Sequence, residues 1–106
     1  MSYRFMRLLV MFDLPTETQE DKRNYRKFRT LLLKNGFIMM QESVYTRMLP
    51  SPSVKESVCA HLRKNKPPNG LVQILTMTEK QFAQMECIVG EFRSDVLDST
   101  ETIVYY

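Results

Sequence analysis

Asp13 is the residue whose type and setting best suit it to chemistry. It follows Leu8-Leu9-Val10-Met11-Phe12, five consecutive apolar residues, and stands just before Leu14-Pro15. An apolar run without polar alternation fits a central β-strand covered on both faces. Pro15 cannot donate to a ladder, so the strand stops at or before it. Asp13 is thereby set at the strand's C-terminal end, where a carboxylate meets solvent. It would serve there as a metal ligand, or it simply starts a turn or caps the next helix. No other group of residues competes. His61 is the single histidine, and Cys59 and Cys87 have no CxxC spacing. These numbers and spacings argue against a Cys/His zinc site and leave few routes to a catalytic triad. There is no Gly-rich phosphate loop and no activated-serine motif.

The bulk of the chain is that of one folded domain. Its 106 residues are 43% hydrophobic and 25% charged, with 3 Gly and 5 Pro, neither disordered nor fibrous in composition. Fifteen Lys/Arg against twelve Asp/Glu give a net charge of +3, too small an excess to argue for a polyanionic partner by itself. Arg4 and Arg7 interrupt what a signal peptide would need as an apolar core, and no apolar run reaches the ~18 residues of a membrane span. The expectation is a soluble, cytoplasmic protein with reduced cysteines and no membrane partner.

Elements must exist to position Asp13, and the sequence supplies them in order. The first strand spans Tyr3 to Phe12. Thr16 with Gln19, or Thr18 with Asp21, caps a helix from about Gln19 to Lys34, and Asn35-Gly36 stops it. At 100° per residue Tyr25, Phe28, Leu31 and Leu32 share the core arc. Lys22, Arg23, Arg26, Lys27, Arg29 and Lys34 occupy the rest, almost unrelieved by acid after Asp21. Such an arc is usually a solvated helix face; a polyanion lying along it would also relieve the repulsion between neighbours.

Phe37 to Met48 is rich in β-formers but would extend about 40 Å at roughly 3.3 Å per residue. Few strands run so long, and a bulge or break is expected around Gln41 to Ser43. Tyr45 and Arg47 share one face there, as ordinary strand residues or as an aromatic beside a cation for nucleic acid. Ser53 and Glu56 match a capping box for a second helix with a Val54/Val58/Leu62 seam, ending near Asn65. His61, Arg63, Lys64 and Lys66 around its end suit the helix dipole. Lys66-Pro67-Pro68-Asn69-Gly70 is a turn. Leu71 to Met77 reads as a second central strand. Thr78 caps a short helix with Phe82 and Met85 turned inward, and Cys87 to Gly90 reads as an edge strand. Glu91 to Thr102 is a polar connector before a β-forming tail, Ile103-Val104-Tyr105-Tyr106.

This order is an α+β, ferredoxin-like pattern: two helices on one face of a four-stranded antiparallel sheet. Residues 1–90 make the domain and 91–106 the connector and C-terminal strand. A first strand apolar on both faces needs a cover on the side away from the helices. A second copy stacked face to face, as a two-fold homodimer, is the economical one. The tail would then add to the partner's sheet edge, or pair with its own sheet or fray. Near the two-fold axis two Asp13 carboxylates would meet. One carboxylate is a poor Mg²⁺ site, whereas two with waters and substrate phosphates are within its habits. Such a metal activates water against a phosphodiester.

Several segments, taken in this order and within this length, resemble a known family. They are Met11-Phe12-Asp13-Leu14-Pro15-Thr16, Tyr25-Arg26-Lys27-Phe28-Arg29, Asn35-Gly36-Phe37, Gln41-Glu42-Ser43-Val44-Tyr45 and Leu75-Thr76-Met77-Thr78-Glu79-Lys80-Gln81-Phe82. The chain is similar, over essentially its whole length, to the CRISPR-associated protein Cas-two (Cas2) family, of the kind found in type II systems with Cas-nine. Leu14-Pro15-Thr16 departs from the isoleucine-rich form of other subtypes. The resemblance implies a ferredoxin-like βαββαβ homodimer, with its first strands near the two-fold axis and a swapped C-terminal strand. It implies that Asp13 matches the family's metal-binding, catalytic acid, with Mg²⁺ or another divalent cation. It further implies a spacer-acquisition protein that bridges two dimers of the integrase Cas-one and holds a duplex DNA prespacer. Lys22, Arg23, Arg26 and Lys27 would then lie along the duplex backbone. The alternative is a stand-alone Mg²⁺-dependent endonuclease, on RNA or duplex DNA, using paired Asp13. A third reading, a ferredoxin-like regulatory or ligand-binding dimer, has no use for the cationic helix face.

Overall fold

In the computed structural model, which describes residues 5–91, β1 (Met6–Asp13) is the inner strand on which everything else is laid. It is followed by α1 (Gln19–Lys34), β2 (Ile38–Gln41), β3 (Val44–Leu49), α2 (Pro52–Lys64), β4 (Leu71–Thr78) and the short α3 (Glu79–Ala83). The sheet order is β2-β3-β1-β4, with every pair antiparallel. This is the ferredoxin-like βαββαβ sandwich with an added helix. The connector after Glu91, the terminal strand and the first residues of the expected opening strand lie outside the described residues. No helix among the described residues is long and apolar enough to cross a membrane.

Strand alternation divides the core in two. Leu8, Val10 and Phe12 face the helices and pack with Phe28, Leu32, Tyr45, Leu49, Val58 and Leu62. Leu8, Val10 and Leu32 are fully buried, each contributing roughly 1.5–3 kcal/mol of apolar burial. Leu9 faces the other way with Met11, Ile38, Val44 and Met77. That second face is not bare within one chain, as the sequence pattern suggests. Phe82 and Met85 from the α3 segment cover part of it. Leu71 and Leu75 on β4 remain 54% and 49% exposed, so the cover is incomplete.

The segment Phe37 to Met48, expected as a strand with a bulge or break around Gln41 to Ser43, is two strands. Glu42-Ser43 turns the chain back on itself, Ser43 adopts a positive φ of 67°, and β2 pairs with β3 as a hairpin. A register shift lies between Met39 and Gln41, so an irregularity accompanies the turn. The break falls within the Gln41 to Ser43 stretch where one is expected; that it is a full reversal is not signalled, because neither turn residue is the Gly or Asn that marks most tight hairpins. The fourth strand is consequently β4, and Cys87 to Gly90 forms none. Ile88 and Val89 there are 83% and 92% exposed, with no neighbouring strand among the described residues to pair them.

The helix entries follow simple capping chemistry. Of the two candidate caps for α1, Thr18 is the one used: its hydroxyl accepts from Asp21 N, and the Asp21 carboxylate accepts from Thr18 N. For α2 the cap is Ser51 rather than Ser53, because Pro52 occupies the first helical position. Thr78 and Gln81 form the reciprocal capping box of α3.

Candidate functional site

Asp13 ends β1 and is exposed, as its place before Pro15 requires. Two turns bracket it. On one side Phe12 N donates to Ser43 O at 3.0 Å, tying the strand end to the β2–β3 turn. On the other, Asp13 is in register with Leu71 of β4, just after Gly70. Gly70 has φ +96°, and a Cβ there would stand 2.7 Å from the Asp13 carbonyl oxygen and 2.7 Å from a Leu14 methyl. Glycine is needed at this position for both reasons.

An aromatic cluster fixes α1 over the same strand end. The Phe12 ring meets Tyr25 and Phe28 edge-on, with centroids at 5.8 and 5.1 Å, and stacks on Tyr45 at 5.7 Å. The Tyr25 hydroxyl lies 3.4 Å from Ser43 Oγ. The helix cannot roll without opening these contacts, so its outward face is set by its inward one.

That outward face carries Lys22, Arg23, Arg26 and Lys27, all exposed and none in an ion pair among the described residues. Glu20 and Asp21 lie in the first turn, where they suit the helix N-terminus, and Asp21 is engaged in the cap. Asp13 does not join these cations. By strand alternation it belongs with Leu9 and Met11 on the face away from the helices, while the four cations look outward from the helix layer. One chain therefore presents two separate features, a basic helix surface and a lone carboxylate. Among the described residues no group of three or more His, Cys, Asp or Glu could hold a metal.

Tyr45 and Arg47 do share a face, yet they form no surface platform for bases. Tyr45 is 1% exposed within the core. The Arg47 Nη1 donates to Asn35 O at 2.7 Å, closing the end of α1. One buried cation was not legible in the sequence: Arg7, 1% exposed, is paired with Glu79 and lies 4.4 Å from the Phe82 ring centroid.

With this geometry in view, comparison with known proteins is specific. Residues 6–85 match the model of the family described as CRISPR associated protein Cas2. A Treponema denticola protein named CRISPR-associated endoribonuclease Cas2 is 48% identical over 99 residues, covering 93% of this chain and 98% of its own. A Streptococcus mutans protein of the same name is 44% identical over 100 residues, covering 94% and 92%. A solved structure titled "Crystal structure of cas2" superposes with a TM-score of 0.60 at 21% identity, covering 94% of this chain and 99% of that one; it speaks to the fold.

Proposed function

The chain belongs to the CRISPR-associated protein Cas2 family, and on that premise we propose that it is a duplex-holding protein of spacer acquisition. It acts in the cytoplasm as a homodimer that bridges two dimers of the integrase Cas-one and carries the prespacer DNA between them. The observation that carries this reading is the outward face of α1. Lys22, Arg23, Arg26 and Lys27 are exposed, unpaired among the described residues, and held in one direction by the aromatic cluster beneath. Neighbouring cations without acids repel one another; a phosphate backbone removes that repulsion and releases counterions.

Homodimerisation is supported by the sheet face away from the helices. α3 covers only part of it, leaving Leu71 and Leu75 exposed beside Leu9, Met11 and Met77. A second copy stacked on that face would remove this surface from water and bring the two β1 strands together.

The second reading, endonuclease action on RNA or duplex DNA, is favoured by the exposed position of Asp13 at the end of β1. The relatives' name, endoribonuclease, agrees with it. A single exposed carboxylate does not fit Mg²⁺ alone; a pair, one from each copy, fits its preference for one or two carboxylates completed by waters and phosphate oxygens. When bound, such a metal supplies a water activated for attack on phosphorus. The chain's own part is to hold the Asp13 carboxylate on a strand end braced by Ser43 and Gly70.

The test is DNA affinity across a salt series, with the integrase present. Phosphate contacts give a steep loss of affinity with salt. A flat dependence would overturn the duplex-holding reading.

A further inference from the structure

Resting on the duplex-holding reading, we propose that the nucleic-acid surface is not α1 alone but the seam between α1 and α2, where phosphates are gripped from three elements. Two clefts open along that seam. The first, about 340 Å³, has Asn24 and Lys27 of α1 on one side and Asn65 and Lys66 on the other, over Phe28 and Leu31. The second, about 550 Å³, brings Arg47 of β3 together with Ser57, His61 and Lys64 of α2, beside Asn35 at the end of α1. Among the described residues no carboxylate lines either cleft.

Cations near the end of a helix are commonly accounted for by its dipole. That account falls short at this seam. Two last-turn carbonyls of α2 are already served by Asn65, whose Nδ2 donates to His61 O at 2.9 Å and whose backbone N–H reaches His61 O and Leu62 O. The side chains of His61, Lys64 and Lys66 are exposed and make no hydrogen bond or ion pair among the described residues. Arg47 comes from a different element altogether. Its Nη1 is held by Asn35 O at 2.7 Å and its Nε by Met48 O at 3.4 Å, which fixes the guanidinium and leaves Nη2 to donate elsewhere. A fixed guanidinium with a free edge is suited to a phosphate oxygen.

The dimensions agree. From Ser57 to Asn65 α2 rises roughly 12 Å at 1.5 Å per residue. One strand of duplex carries a charge about every 3.4 Å of axis, so about three phosphates can lie along this length. Lys27 and Lys66 line the first cleft, and Arg47, His61 and Lys64 the second. The ligand chemistry is a run of phosphodiesters, with Asn24, Asn65 and Ser57 as neutral donors between the charges.

The probe is a random-sequence DNA duplex, titrated by fluorescence anisotropy against the full-length protein across a salt series. Two paired variants are compared with wild type: Lys64→Gln with Lys66→Gln on the seam, and Lys22→Gln with Arg23→Gln on the outer face of α1. Circular dichroism and sedimentation establish that each keeps the fold and assembly of wild type. The seam pair is expected to reduce the slope of log affinity against log salt by about 1.8, near 0.9 for each lost phosphate contact. A seam pair that leaves the slope unchanged while the α1 pair reduces it would overturn the seam and leave the duplex-holding reading standing. If wild type itself shows no slope the seam falls, and the same series with the integrase present decides the duplex-holding reading.

Discussion

Arg7 and Glu79, 72 residues apart in the chain, meet in a two-pronged ion pair: Nε and Nη2 each donate to a carboxylate oxygen at 3.1 Å, and Nη2 also lies 2.8 Å from Oε2. Arg7 is 1% exposed and Glu79 24%. The pair pins the start of α3 to the outset of β1, and the Phe82 ring covers the guanidinium at 4.4 Å. Through this pin, the α3 segment is held over the sheet face that the helices leave open.

Glu79→Ala should therefore cost about 2–3 kcal/mol of unfolding free energy. It leaves a buried guanidinium without its carboxylate, and partial exposure of Glu79 keeps the loss below that of a fully buried pair. Arg7→Met combined with Glu79→Ala should recover part of that loss, since a buried ion pair can be replaced by apolar packing at little net cost. Urea titrations of the singles and the double measure the coupling. Equal losses for Glu79→Ala and the double variant would refute the pin.

Gly70→Ala should be more damaging than Gly36→Ala, although both glycines have positive φ, +96° and +85°. The backbone penalty is common to both, about 1–2 kcal/mol. At Gly36 the nearest atoms to an added Cβ are 3.5 Å away, on the Arg47 guanidinium, whereas at Gly70 they are the Asp13 carbonyl and a Leu14 methyl at 2.7 Å. Thermal melts of the two variants test the ranking, and hydrogen exchange at the end of β1 should rise only for Gly70→Ala.

These sites differ in how far the sequence discloses them. The apolar run ending at Asp13, the Thr18 cap and the α1 stripe are local patterns, repeated within a few residues, and each matches the structure. The hairpin at Glu42-Ser43 is also local: the length of the β-forming segment points to a bulge or break there, but without the residue types that signal a tight turn the full reversal is not read. Cys87 to Gly90 errs the other way: β-forming residues that meet no partner strand among the described residues make no strand. The Arg7–Glu79 pair has no local signature, because its partners are brought together only by the β1–β4 register. Arg47 likewise reads as a surface cation until the fold shows the Asn35 carbonyl it serves.

Leu75→Glu should separate the proposed homodimer without unfolding the chain. Leu75 is 49% exposed in one copy and is in register with Leu9 on the open face, so a charge there is tolerated by the monomer and opposed by a stacked partner. Sedimentation should show a dimer for wild type and a monomer for the variant, with unchanged circular dichroism. A variant that stays dimeric would place the interface elsewhere.

Lys22→Gln with Arg26→Gln should flatten the salt dependence of duplex binding by about 1.8 in slope, leaving stability within about 0.5 kcal/mol of wild type. Both residues are exposed and unpaired among the described residues, so the change removes charge and little else. Anisotropy titrations at several salt concentrations read the slope directly.

The central proposal is that this chain holds the duplex in spacer acquisition and that Asp13 is dispensable for that role. Integrase-dependent spacer insertion with wild type and with Asp13→Ala tests it most directly, alongside Mg²⁺-dependent nuclease activity of the same preparations. Asp13→Ala is predicted to abolish any cleavage and to leave insertion at the wild-type level. Loss of insertion in a variant that is still folded and dimeric would contradict the account.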